Sequence, residues 1–408
     1  MMKWIEISFK NVLRNSRRSI TAILTVAIAS VALIMSYGFL NATFWGLKRQ
    51  TIQGGTGNIQ VVDTRKVNGF EEYPLEFGIE KQDANEIEQK LMATKKVKQV
   101  LKRISFNGVV STGEKSTIFS GLGIESKKEN RLRAGNAVGR YLKGRKMKDG
   151  DNYQVELGVR LANKLGVDVG DGITLLANVI DGGINAIDVT VTGIYTTGIP
   201  EKDEISLKVP LGLVQELMGT ERVSKLVVQL KKMDRTAQFQ KSVGELNDKL
   251  TMVPWWDVEP YFKAVQNIYY NIFSIMGIII AMVVLLSVTN VMNTSVMERA
   301  HEIGTLRSFG ISKNNLRFNF MTEGTIISVI GSILGVVLSV GISIFINKAK
   351  YMMPPPPGKS QEYPLMIMMS LDSVIVVILA MVVIGIFASL MPINSILKKK
   401  IVEQISHV

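Results

Sequence analysis

The sequence predicts a membrane protein in which four transmembrane α-helices, arranged as one plus three, carry a large α+β extracytoplasmic domain inserted between the first and second helix. Three observations predict this fold class: four long stretches without charged side chains, a β-rich pattern between the first two of them, and an excess of Lys and Arg beside them. Of the 408 residues, 47% are hydrophobic, and the net charge is +13. The positive mean hydropathy, +0.21, also favours a membrane class.

Each charge-free stretch is long enough to cross about 30 Å of hydrocarbon, which takes about 20 helical residues. The predicted spans are residues 19–42, 264–297, 324–347 and 373–397. The second is longer than a bilayer requires, and Trp255, Trp256, Tyr269 and Tyr270 near its start indicate a stalk that rises through the interface. Buried helices of a large soluble protein are the alternative, which we reject because charge-free stretches of this length are rare there.

Short basic segments predict the orientation of the spans. Lys and Arg are concentrated in residues 1–18, 298–323 and 398–408. The positive-inside bias therefore places these segments and both termini in the cytoplasm, and it places residues 43–263 and 348–372 outside. The first of these segments also has apolar side chains at helical spacing, which predicts an amphipathic helix in the cytoplasmic interface.

The inserted segment alternates β-type runs with amphipathic helical runs. Predicted strands cover residues 58–63, 97–104, 116–122, 173–177, 187–195 and 225–230, and predicted helices cover residues 83–94, 157–165, 210–218 and 235–250. This interspersed order predicts an α+β domain, which at about 220 residues could divide into two lobes. Its basic segment, residues 131–149, could meet anionic lipid or an acidic partner, but a solvated loop is the favoured interpretation.

Few residues are suited to catalysis or metal binding. With no Cys and only His301 and His407, neither a disulfide framework, a thiolate metal site nor a Ser/His/Asp triad is expected, and we predict no catalytic residue and no metal site. Residues 357–360 end in Gly-Lys-Ser, but Met353 replaces a glycine that a phosphate loop requires, and consecutive prolines cannot present the N–H groups that cradle phosphate. ATP hydrolysis is therefore expected from another polypeptide. Because the surplus positive charge lies beside the spans, no nucleic acid partner is needed to explain it.

The segment that follows the second span, from Asn293 to Ser312, is the most informative. Charged side chains alternate there with an apolar ridge, Gly310 predicts a helix end, and Ser312 is placed to cap the next helix. A short helix of this kind can insert its ridge into a groove of a partner. It can equally lie on the membrane surface, and the pattern alone leaves both interpretations open.

Residues 298–310, ERAHEIGTLRSFG, resemble the coupling helix of the FtsX/MacB-type ABC transporter permeases, the type VII or mechanotransmission class. Glu323 matches a glutamate that is frequent in that family. Residues 156–171 and 189–195 resemble the MacB-like periplasmic core domain of the same family. In length and layout, the chain is most similar to the lipoprotein-releasing LolC/LolE-type permeases.

The resemblance implies a permease subunit and not an enzyme. It implies pairing with a second permease, identical or homologous, on a separate dimer of ABC ATPase subunits that bind ATP and Mg, with no cofactor in this chain. It also implies a location in the bacterial inner membrane. The residues that it implies for coupling to the ATPase are Glu298, Arg299, Glu302, Ile303, Gly304, Leu306, Arg307 and Gly310.

The implied function is the extraction or export of a lipoprotein, lipid or amphipathic substrate by mechanotransmission, with a periplasmic carrier or adaptor protein as a further partner. Two alternatives stay open. The same ATP-driven lever could regulate an extracytoplasmic hydrolase as a signal transducer, or the chain could be an antimicrobial or macrolide-type efflux permease. An enzymatic inserted domain is disfavoured because its sequence shows no acid, base and nucleophile set.

Small residues in the later spans predict close helix packing. Gly331 and Gly335 form a Gly-x-x-x-Gly face on the third span, and Gly385 with Ser389 forms a similar face on the fourth. Within the inserted domain, a loop that follows a predicted strand is a candidate for partner docking. Its residues are Thr197, Gly198, Ile199 and Pro200.

Overall fold

The computed structural model describes residues 8–12, 14, 16–67, 78–132, 140–180, 182–244, 246, 248–354 and 362–401. The chain divides into two compact units. The membrane unit comprises Met1–Phe44, Val265–Met353 and Pro364–Val408, and the inserted domain comprises Trp45–Ala264 with Pro354–Tyr363.

Along the described part of the chain, one long helix precedes the ten-stranded inserted domain and three long helices follow it. The helices are α1 (Ser16–Thr51), α2 (Thr64–Val67), α3 (Lys81–Ala93), α4 (Ser126–Leu132), α5 (Val159–Leu165), α6 (Pro200–Ile205), α7 (Leu211–Met218), α8 (Thr236–Val243), α9 (Trp255–Val258), α10 (Pro260–Glu298), α11 (Ala300–Ser308), α12 (Lys313–Ala349) and α13 (Leu371–Leu397). The strands are β1 (Ile59–Asp63), β2 (Val97–Ser111), β3 (Ser116–Ile124), β4 (Arg140–Gly144), β5 (Gln154–Gly158), β6 (Gly172–Asn178), β7 (Ile184–Thr196), β8 (Ser206–Pro210), β9 (Lys225–Leu230), β10 (Leu250–Pro254), β11 (Met352–Met353) and β12 (Tyr363–Pro364).

Among the described residues, four helices are long and apolar enough to cross a membrane: α1, α10, α12 and α13. The predicted membrane fold, with one span before the inserted domain and three after it, is therefore confirmed. The helices extend beyond the charge-free stretches, and α1, for example, continues through Lys48 and Arg49 to Thr51. This is expected because a helix satisfies its own backbone hydrogen bonds and can continue past the hydrocarbon into water.

The described part of the N-terminal segment, residues 8–12 and 14, is helical and packs within the membrane unit. Its buried side chains are those of Ser8, Asn11 and Val12, whereas Phe9 is nearly half exposed. The Ser8 hydroxyl donates to the carbonyl and the side-chain oxygens of Asn319 at 3.1 and 2.9 Å. The contact face therefore contains polar residues that the apolar periodicity did not identify.

The inserted domain is built on a sheet with ten described strands in the order β10-β1-β9-β2-β3-β8-β5-β7-β4, with β6 paired to both β2 and β7. Most pairs are antiparallel, but β3–β8 and β5–β7 are parallel. The long strand β2 pairs with β9 along its first half and with β6 along its second half. Because β2 joins both parts of the sheet, the two lobes that length suggested are one continuous sheet.

Four strands of this sheet, β4, β5, β8 and β10, were not predicted. The helix predicted over residues 157–165 begins only at Val159, since Leu157 and Gly158 belong to β5. The helix predicted over residues 235–250 ends at Val243, because Gly244 follows with φ 69°, a value that L side chains rarely adopt. Leu250 then begins β10.

Residues 133–139 of the basic segment and residues 357–360 lie outside the described part of the chain.

Candidate functional site

The connector helix α11, which joins the second and third spanning helices, has one buried face. Ala300, Ile303 and Gly304 are buried there. Ala300 and Ile303 belong to an apolar cluster whose other buried members are Val296, Leu316, Phe320, Ile393, Ile396 and Leu397. Ile303 therefore holds this helix against the ends of α12 and α13, and Gly304, which is also in the predicted coupling set, is buried on the same helix.

Arg299 points inward at the start of the connector helix. Its Nη1 donates to Glu323 Oε2 at 3.2 Å, its Nε donates to Glu302 Oε2 at 3.1 Å, and its guanidinium lies 5.1 Å from the Phe320 ring centroid. The Arg299 side chain is only 12% exposed and that of Glu323 only 4%. Arg299 thus connects the connector helix to α12, whereas its predicted role was contact with a partner.

The other end of the connector helix is connected to the residues that directly follow α13. Arg307 Nη1 donates to the backbone carbonyl of Lys399 at 3.1 Å. One turn into α12, Arg317 Nε donates to Asn394 Oδ1 at 2.8 Å. With the buried apolar face between these contacts, the helix is attached to both of the last two spanning helices.

The opposite face of the connector helix is open. Its exposed side chains are His301, Glu302, Leu306, Ser308 and Phe309, and Phe309 is 81% exposed. Phe309 and His301 lie outside the predicted coupling set. The sequence feature that could have identified Phe309 as a contact residue is its position at the end of the apolar ridge, directly before the glycine that ends the helix.

The turn after the connector helix fixes the position of Phe309. Gly310 has φ 86°, which an L side chain rarely adopts, and the Ile311 N–H donates to the Leu306 carbonyl at 3.1 Å. The Ser312 hydroxyl then accepts from the Asn315 N–H at 3.3 Å, so the predicted cap of the next helix is confirmed. Phe309 is therefore presented from an ordered turn.

Ion pairs surround this exposed face. Glu298, at the end of α10, pairs with Arg18 of α1, and the side chains of both are about half exposed. Arg14 lies 3.8 Å from the Glu302 carboxylate. Such exposed pairs contribute little to stability, but they place charges of both signs beside the apolar residues, where they can select a partner.

The predicted glycine faces lie at helix crossings within the membrane unit. A Cβ on Gly331 would lie 2.7 Å from Val26 Cβ, and one on Gly335 would lie 2.6 Å from Ser30 Cβ, so α12 packs closely on α1 there. A Cβ on Gly385 of α13 would meet Ser328 of α12. Ser389 lies on the same face of α13, and its Oγ would be 2.9 Å from a Cβ built on Gly324 of α12.

The candidate docking loop of the inserted domain is held by Asp203. Its buried carboxylate accepts from the Thr197 N–H and the Thr197 hydroxyl, both at 2.7 Å, and from the Thr196 hydroxyl at 2.5 Å. Gly198 and Ile199 donate back to these two hydroxyls, and Pro200 begins α6. The loop is therefore an ordered turn, and any docking would use a preformed shape.

Among its described residues, the sheet of the inserted domain contains two buried ion pairs. Arg103 on β2 pairs with Glu129 on α4 at 2.8 Å and also donates to the carbonyl of Gly55, in the π-helical turn that follows α1. Lys208 on β8 pairs with Glu156 on β5 at 3.2 Å. A cavity of about 10 Å³ beside the second pair has room for roughly one water and not for a substrate.

Comparison with known proteins identifies two family regions. The profile described as MacB-like periplasmic core domain matches residues 19–246. The profile described as FtsX-like permease C-terminal matches residues 274–401, which include the connector helix.

Individual relatives are distant. The lipoprotein-releasing system transmembrane protein LolC of Xylella fastidiosa is 26% identical over 196 residues, 45% of this chain and 46% of that protein. The macrolide export ATP-binding/permease protein MacB of Bdellovibrio bacteriovorus is 24% identical over 181 residues, 40% of this chain and 28% of that protein. The crystal structure of the periplasmic region of MacB from Actinobacillus actinomycetemcomitans matches with 14% identity and a TM-score of 0.35, over 52% of this chain and 95% of that one. The chain thus spans less than half the length of the curated relatives that it matches.

Proposed function

Because this chain belongs to the FtsX/MacB family of ABC transporter permeases, with a MacB-like periplasmic core domain and an FtsX-like C-terminal region, we propose that it is the membrane subunit of an ATP-driven machine. In this proposal the connector helix faces the cytoplasm and docks on a separate ATPase dimer, which binds ATP and Mg. A second permease, identical or homologous, completes the assembly. The inserted domain then works on the periplasmic side of the bacterial inner membrane.

The exposed face of the connector helix carries this proposal. Leu306 and Phe309 provide the apolar ridge that a groove in a partner can bury, and Glu302 provides a charge at its edge. The opposite face of the connector helix is attached to two spanning helices. A displacement of Phe309 is therefore transmitted to those helices without first bending the connector helix. Rigid attachment on one face and exposure on the other are what a lever contact requires.

The length of the second spanning helix fits the transmission of motion. The helix α10 has 39 residues and is therefore about 58 Å long, roughly twice the hydrocarbon thickness. A continuous helix of that length carries displacement from its connector end to the outer side of the bilayer. We propose that mechanotransmission of this kind drives the extraction or export of a lipoprotein, lipid or amphipathic substrate, with a periplasmic carrier or adaptor protein as receiver. The similarity to LolC supports the lipoprotein version, and the similarity to MacB supports the macrolide-type efflux alternative.

The test is to purify the tagged chain from its native membranes in mild detergent and to identify the retained proteins by mass spectrometry. Wild type should retain an ATPase, and Phe309→Ser should retain at least about tenfold less, because burial of a Phe side chain contributes about 1.5–3 kcal/mol. Ile184→Ser is the matched control, since Ile184 is similarly exposed at 73% but lies in the inserted domain.

The proteins retained also separate the candidate functions. Co-purification of a lipoprotein would support release, whereas an outer hydrolase in its place would support the signal transducer. If wild type retains no ATPase at all, the proposed assembly is wrong. If Phe309→Ser retains as much ATPase as wild type, the docking face has been misplaced.

A further inference from the structure

A cavity of about 540 Å³ lies between α12 and α13, at the ends of these helices that are next to the connector helix. It is lined by Lys313, Arg317, Asn394, Leu397 and Lys398. Three of these side chains are cations, and no carboxylate of the described residues lines the cavity. Its volume is in the range of small-molecule sites and far exceeds the space that one water needs. The cavity can therefore hold an anion with several non-hydrogen atoms.

Neutral side chains hold Arg317 in position at this cavity. Its Nε donates to Asn394 Oδ1 at 2.8 Å, and its Nη1 donates to Asn314 Oδ1 at 3.0 Å. Among the described residues, no group accepts a hydrogen bond from its Nη2. Because both acceptors are uncharged amides, the guanidinium is positioned without being neutralised. It therefore keeps its charge and a set of N–H donors for a ligand.

The cations of the cavity differ from arginines elsewhere in the membrane unit. Arg18 pairs with Glu298, and Arg299 pairs with Glu323. By contrast, none of the three cavity cations forms an ion pair with a carboxylate in the described part of the chain. Neighbouring like charges repel each other when no opposite charge lies between them. An anion in the cavity would offset this repulsion.

The cavity lies at the level of the lipid headgroups. The charge-free part of α13, residues 373–397, is about 37 Å long. Since the hydrocarbon is about 30 Å thick, the last turn of this helix reaches the headgroup layer. Phe387 and Met391 are 58% and 55% exposed, and they precede Lys398 on one helix face, by eleven and seven residues. An apolar surface suited to acyl chains therefore leads along α13 to the cavity.

We propose that this cavity binds the phosphate group of an anionic phospholipid. Arg317 donates hydrogen bonds to the phosphate oxygens, and Lys313 and Lys398 add their positive charges. Basic pockets between spanning helices are suited to anionic headgroups in general. Free phosphate has the same chemistry, but the exposed apolar face of α13 beside the cavity favours the source that carries acyl chains. The inference needs only the membrane fold, and it does not depend on the proposed docking of an ATPase.

The test measures lipid binding to the purified full chain by native mass spectrometry in detergent. Wild type should bind phosphatidylglycerol, which is anionic, more tightly than zwitterionic phosphatidylcholine. The double variant Lys313→Gln with Lys398→Gln should bind phosphatidylglycerol about thirtyfold more weakly, because each basic side chain near a membrane surface contributes about fivefold. Both lysines are exposed, so this variant should fold. Lys348→Gln with Lys350→Gln is the matched control, since it removes two exposed lysines from the other end of α12 and should bind like wild type.

Inorganic phosphate is the competing probe. At a concentration equal to that of phosphatidylglycerol, it should leave most of the lipid bound. Displacement of half the lipid or more at that concentration would identify free phosphate as the ligand and overturn the lipid assignment. Equal binding of phosphatidylglycerol by wild type and the cavity variant, or an equal loss in the control, would also overturn it.

Retention of an ATPase by the same variants is read in a separate pull-down. If the cavity variant binds phosphatidylglycerol like wild type but loses the ATPase, the cavity is a contact for an acidic protein surface, and this inference is wrong. If wild type retains no ATPase while lipid binding depends on the cavity lysines, the proposed function fails and this inference stands.

Discussion

Replacing Arg299 by Met tests whether this side chain holds the connector helix in place or meets a partner. Arg299 Nη1 lies 3.2 Å from Glu323 Oε2, and the two side chains are 12% and 4% exposed. Removing one member of a buried pair costs about 3–5 kcal/mol, because the remaining charge stays buried without compensation. Since Arg299 keeps some access to solvent, we expect a loss near the lower end, about 3 kcal/mol.

Thermal unfolding of the purified chain in detergent measures this loss. A change of about 3 kcal/mol lowers the apparent melting temperature of a unit of this size by about 6–12 °C. The double variant Arg299→Met with Glu323→Gln should recover much of it, because no charge is then left buried. Glu302→Ala is the control, and its exposed carboxylate should contribute within about 0.5 kcal/mol. If Arg299→Met melts like wild type but no longer retains the ATPase, the inward role of Arg299 is refuted.

Two further predictions concern the two units separately. Gly331→Leu should force α12 away from α1 and lower thermal stability by about 1–3 kcal/mol, whereas Gly341→Leu on the same helix, where a Cβ meets nothing within 4 Å, should melt like wild type. In the inserted domain, the hydrogen bonds from Arg65 lower the pKa of Asp63 below its ordinary value. Its stabilising contribution is therefore complete above about pH 4 and lost as the pH falls through the lowered pKa. Asp63→Asn should reduce the pH dependence of unfolding below about pH 4, and an unchanged acid transition would contradict this assignment.

The spanning helices could be predicted because hydrocarbon imposes a constraint that is local in sequence. A membrane span needs about 20 apolar residues in succession, and charges collect at its ends. The one-plus-three arrangement follows from those stretches alone. The ends of the helices could not be predicted from those stretches, since α1 continues to Thr51 through charged residues that lie beyond the apolar stretch.

The inserted domain was less predictable because its strands depend on distant partners. Strand β8 contains Lys208 and strand β5 contains Glu156, charges that break an apolar alternation. These two side chains neutralise each other inside the sheet, and their pairing cannot be predicted from the residues next to either of them in the sequence. The same reason explains why one continuous sheet was not distinguished from two lobes.

At the connector helix, the sequence by itself determined the location of the segment, its end at Gly310, and its combination of charged with apolar side chains. Only the tertiary structure decided which face is buried. Ile303 and Arg299 face the spanning helices and Phe309 faces outward, because the neighbours that receive the first two, such as Phe320 and Glu323, come from a different helix. Local periodicity shows that a helix has two faces. The identity of the buried face depends on contacts between residues far apart in the chain.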